Sequence, residues 1–132
     1  MFNMKNILIL LLLLPIITTA KTLTPAGYVG SWSLEQELSY LGEVNITVKT
    51  DLSFNINRVF PDGDKVICEA IGNAQVSDEF VMLTCKTPYN ILHKFVLGGW
   101  ESESGISKIF GTMFLYNDKG LFNGIPVHFK KT

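Results

Sequence analysis

The chain is expected to be all-β: an antiparallel, up-and-down meander of eight strands closed into a small barrel. Three observations predict this. From Gly30 onward apolar and polar residues alternate with period two, the signature of strands with one buried face. Gly, Pro, Asn and Asp punctuate the runs at turn positions. Every connection is short, so sequence neighbours pair antiparallel, and eight such strands can close and remove the exposed edges of an open sheet.

Residues 1–20 read as a secretory signal peptide. Lys5 supplies the basic start, Ile7 to Leu14 the apolar run, Pro15 the break, and Thr18 and Ala20 the small residues of a cleavage site. The apolar run falls short of the roughly 20 residues a membrane-spanning helix needs. Residues 21–132 then form a single domain, secreted or periplasmic, large enough for one core. The eight strands are expected at 31–38, 43–49, 53–60, 65–74, 79–86, 91–97, 106–116 and 121–130. In the first, Ser33 to Gln36 also fits a helix capping box, with Leu34, Leu38 and Leu41 on a helical face ending at Gly42. The strand reading is preferred because every clear downstream segment is a strand. Val44, Ile46 and Val48 face one side of the second strand; Phe54, Ile56 and Phe60 face one side of the third. Pro61 to Asp64 and Asn117 to Gly120 have turn composition.

With 11 basic and 12 acidic residues, the lysines scattered and Arg58 the single arginine, the chain lacks the basic stripe that nucleic acid or an anionic membrane requires. Cys68 and Cys85 are the only cysteines. In an oxidising compartment an even pair favours a disulfide. A hairpin of strands 65–74 and 79–86, turning at Val76-Ser77, sets the two opposite one another within bonding reach.

Gly30-Ser31-Trp32 opens the first strand, Thr50-Asp51-Leu52-Ser53-Phe54 follows the second, and a hairpin of the form Gly-x-x-x-Val-Ser-Asp-Glu-x-x-x-Leu runs from Gly72 to Leu83. This order resembles the small lipocalin-like proteins of the calycin superfamily. It implies an eight-stranded barrel with an apolar interior able to hold a ligand. The chain departs from the pattern at Leu52, where the family prefers Gly. It also lacks a last-strand arginine over the tryptophan, for which Lys130 is a partial substitute.

No catalytic constellation is legible. Asp62-Gly63-Asp64 with Glu69 fails calcium-loop spacing. His93 and His128 are the only histidines, no Gly-x-Ser-x-Gly is present, and Glu101 and Glu103 sit in a Ser- and Gly-rich segment read as loop. The expectation is therefore a binding protein without enzyme activity, cofactor or metal. In its leading form a small apolar ligand sits inside the barrel, with Phe54, Ile56, Phe110 and Phe114 as wall residues. In the alternative, the protein is an interaction module, such as an inhibitor of a secreted hydrolase. It would use its loops or the outer face of strand 106–116, which is apolar on both sides (Ile106, Phe110 and Phe114; Ile109, Met113 and Leu115). Trp100, after Gly98-Gly99, is the expected partner contact. Asn45-Ile46-Thr47 is a glycosylation sequon, meaningful only in a eukaryotic secretory pathway.

Overall fold

The computed structural model describes residues 21–22, 25–77, 79–101 and 107–132; the signal-peptide reading, Glu103 and Ile106 lie outside them. Ten strands follow in order: β1 (Lys21–Thr22), β2 (Gly30–Leu34), β3 (Glu43–Val48), β4 (Phe54–Val59), β5 (Lys65–Ala70), β6 (Gln75–Val76), β7 (Val81–Lys86), β8 (Leu92–Glu101), β9 (Ser107–Asn117) and β10 (Gly120–Lys131). Eight of them close the expected antiparallel barrel, β2-β3-β4-β5-β7-β8-β9-β10, with β10 returning to pair with β2. The two-residue strands β1 and β6 pair antiparallel with the end of β8 and the start of β7.

Period-two patterning sets which side chains go inside. Val44, Ile46 and Val48 of β3 and Phe54 and Ile56 of β4 are buried, while Asn45, Asn55 and Asn57 between them are exposed. The inward residues meet in one cluster dominated by Trp32, Phe95, Phe129, Met113, Leu83 and Leu97, each at most 1% exposed. Phe95 and Phe129 meet edge to face with ring centres 6.2 Å apart.

One end of the barrel is plugged by a single helical turn, α1 (Pro25–Tyr28). The Trp32 indole N–H donates to the Tyr28 carbonyl at 2.9 Å, which ties this turn to the core. The cation over the Trp32 ring is Lys131, at 5.3 Å, and not Lys130: Lys131 is the residue in register with Trp32.

Four local expectations are corrected. The first strand stops at Leu34, and a 3-10 helix, Gln36–Leu41, takes over. Its Leu38 and Leu41 pack on the core, so the helical spacing seen there is used, though in a tighter helix. Gly42 ends it at φ +84°, where an added Cβ would stand 1.9 Å from the Val59 carbonyl oxygen. The strand expected at 65–74 ends at Ala70, because Gly72 takes φ +70° and turns the chain away. The hairpin turn therefore falls between Val76 and Val81, and Ala70, not Cys68, is opposite Cys85. Cys68 and Cys85 still form the expected disulfide, with Cα atoms 5.3 Å apart, reaching diagonally across the two strands. Finally, Gly98-Gly99-Trp100 is no loop: β8 runs through it to Glu101.

The seam between β10 and β2 is short. Only Phe129 to Lys131 pair with β2, so the edge of β10 opposite β9 has no strand beside it from Leu121 to Val127 among the described residues. His128 turns its backbone toward β2, and by alternation Pro126 and Gly124 face the same open side. Pro126 has no N–H to offer, the Gly124 N–H is taken by the Asn123 side chain at 2.9 Å, and a register shift interrupts the strand between Leu121 and Asn123. Such features blunt an edge against adventitious strand pairing.

Candidate interaction face and polar end of the barrel

The outer wall of β8–β10 carries an aromatic pair. Trp100 and Phe110 lie on adjacent strands, each 45% exposed, with ring centres 4.6 Å apart. Beside them a groove of about 510 Å³ is lined by Phe110, Gly111, Thr112, Pro126 and Val127 along its floor, with Glu35, Glu37, Lys108 and His128 at its rim. Lys108 stands 3.4 Å from the Glu35 carboxylate.

Of the expected interior wall, Phe54 and Ile56 do face inward and are buried. Phe110 does not: it is on the outer face. Phe114 is half-buried and alternates with the inward Met113 and Leu115, so it too faces outward, near Gly124. The interior positions of β9 belong to Ile109, Met113 and Leu115. A strand apolar on both faces carries no signal of which face goes in. Pairing decides it, since Ile109 is opposite Phe129 of β10. Trp100, the expected partner contact, is exposed on β8. Asn45 is also exposed, and its side-chain oxygen accepts from the Ser33 hydroxyl at 3.1 Å.

The sequence reading missed a polar pair inside the barrel, toward the end formed by the 3-10 helix and the β4–β5, β7–β8 and β9–β10 turns. Arg58 shares the inward face of β4 with Phe54 and Ile56, and His93 shares that of β8 with Phe95; both are buried. Arg58 Nη1 is 2.9 Å from His93 Nε2. A guanidinium can only donate, so Nε2 is the bare nitrogen and Nδ1–H donates to the Ile91 carbonyl at 3.3 Å. The guanidinium also lies 4.5 Å from the centre of the Phe60 ring, and its Nε has no hydrogen-bond partner among the described residues. The available signal was parity: position 58 belongs to the same face as 54 and 56.

Burial first, and then the adjacent Arg58 charge, hold His93 down at about 4, against a weaker opposing pull from the Ile91 carbonyl. Its unfolded value is near 6.5, so below that pH the unfolded chain takes the proton first. Stability is accordingly expected to fall as pH drops from about 6.5 to about 4 and to level off below, losing roughly 3 kcal/mol from this one group. Urea denaturation across that range checks it. His93→Gln, which keeps an acceptor but does not titrate, should flatten the slope; an unchanged slope would assign the acid sensitivity elsewhere.

The fold and these surfaces define a closed eight-stranded antiparallel barrel, packed inside and apolar along part of its outer wall. No family model, no curated protein and no solved structure matches the chain.

Proposed function

We propose that this protein is an extracytoplasmic, lipocalin-like barrel that works by docking a protein partner on the outer face of β8–β10. One observation carries the reading: the chain's own aromatics occupy the interior, while Trp100 and Phe110 pack against each other on the outside, Phe110 lining a groove. Exposed aromatics beside a concavity are the usual anchors of a protein interface. The disulfide agrees with action outside the cytoplasm. The interior carrier reading ranks second. It would require a ligand to displace side chains such as Phe95 and Phe129, which are fully buried.

Native mass spectrometry of the protein isolated with whatever accompanies it separates the two. A stoichiometric protein complex is expected, and Phe110→Ala should weaken it by about 2 kcal/mol, roughly thirtyfold in Kd. Leu121→Ala, an exposed apolar residue away from the groove, should leave it unchanged. A small-molecule mass released only on denaturation would overturn the docking reading in favour of the carrier.

A further inference from the structure

At the rim of the groove His128 stands between two carboxylates. Its Nδ1 is 4.0 Å from Glu35 Oε1, and its Nε2 is 3.9 Å from Glu37 Oε1. One donor atom from each of the three residues lies within 4.8 Å of the other two.

Three features set this apart from an ordinary patch of surface charge. The backbone fixes the geometry, because the Glu35 N–H donates to the His128 carbonyl at 3.1 Å where β2 leaves β10. Glu35 is an almost enclosed carboxylate: its side chain is 12% exposed, and Oε1 is buried with no hydrogen bond among the described residues. A buried carboxylate oxygen with no hydrogen bond is costly to keep and is stabilised by a cation. The cation beside it is the ammonium of Lys108, at 3.4 Å on a side chain 61% exposed, a loose counter-ion on a flexible stem. The third feature is space, since all three residues line the groove.

We propose that Glu35, Glu37 and His128 bind one divalent first-row transition-metal ion, of which Zn²⁺ is the reference case, on the outer wall of the barrel. One imidazole with two carboxylates suits this class; calcium and magnesium take oxygen ligands. Zinc sits about 2.0–2.2 Å from nitrogen and oxygen donors, which places tetrahedral ligands roughly 3.3 Å apart. The ring offers one ion a single nitrogen, and with one donor atom per residue the trio spans up to 4.8 Å, so its widest edge must contract by up to about 1.5 Å. Buried Glu35 fixes the edge of the ring that the ion meets, and the exposed Glu37 swings in to complete the set. Three protein ligands leave at least one coordination position turned to the groove. The site stands independently of the partner-docking reading, because its chemistry lies wholly within this chain.

The test is calorimetric titration of the chelator-stripped protein with Zn²⁺, repeated with Co²⁺ and read by visible absorption. One ion per chain is expected. His128→Ala and Glu35→Gln should each weaken binding at least about tenfold, the scale seen when a ligand or its support is lost. Lys108→Met should tighten it severalfold by removing the competing ammonium, a gain that no loss of folding can imitate. Glu69→Gln, an exposed carboxylate on β5, should change nothing. Circular dichroism confirms that each variant is folded. The proposal is overturned by the absence of saturable one-to-one uptake, or by His128→Ala binding within twofold of the parent.

Discussion

Trp32→Ala is expected to remove about 4 kcal/mol of stability, the scale measured for truncating a large buried aromatic side chain. That is a drop of roughly 15–25 °C in Tm for a domain of this size. Three independent contacts converge on this side chain. It is 1% exposed within the core cluster, its indole N–H anchors the Tyr28 carbonyl and with it α1, and Lys131 lies over its ring. Removing it leaves a cavity and also frees the turn that plugs this end of the barrel. Trp32→Phe keeps most of the apolar volume and should cost about 1–2 kcal/mol, chiefly the lost hydrogen bond. Lys131→Met should cost about 0.5–1 kcal/mol, the value of a half-exposed cation over a ring. Thermal melts rank the three. A Trp32→Ala protein within about 1 kcal/mol of the parent would mean that α1 and the tryptophan do not close the barrel.

Loss of the Cys68–Cys85 bond ranks second. The cysteines are 17 residues apart, and the chain-entropy estimate for a loop of that length is about 3 kcal/mol. The bond lies where the barrel has least backbone pairing. β5 and β7 share only Glu69–Lys86 and Ala70–Cys85, whereas β7 and β8 pair along six residues. The covalent link therefore closes the barrel where the hydrogen-bonded ladder is shortest, and its loss should open the β5–β7 seam first. Denaturation with and without reductant isolates the cross-link, and the Cys68→Ala/Cys85→Ala protein adds the packing lost at two buried positions. Equal midpoints in the oxidised and reduced protein would rule out a stabilising role. Hydrogen exchange should show the amides of Glu69 to Ile71 losing protection ahead of those in β9.

How much of this was legible depends on the kind of signal each feature leaves. Strands β3, β4 and the second half of β10 alternate cleanly, as in Val44-Asn45-Ile46 and Val127-His128-Phe129, and their buried faces follow from that alone. The stretch after Trp32 carried strand and helix periods together, and the chain uses both in succession, β2 and then the 3-10 helix. Gly98-Gly99 has loop composition, yet it continues β8 because β9 pairs with it along its whole length. Phe110 and Phe114 were indistinguishable from Ile109 and Met113 as wall residues. Their strand is apolar on both sides, so amphipathicity is silent there.

The strand pattern, the antiparallel order and the cysteine pair follow from local alternation, turn chemistry and residue count, which the chain carries in its own order. Closure settles the rest. Register across the barrel turns Phe110 outward and brings Arg58 against His93 from 35 residues away. The short β10–β2 seam sets His128 beside Glu35 and Glu37 across most of the chain's length. None of these meetings has a local cause. Each depends on which strand lies beside which, and by how many residues it is offset, and a period-two pattern looks the same at every even offset.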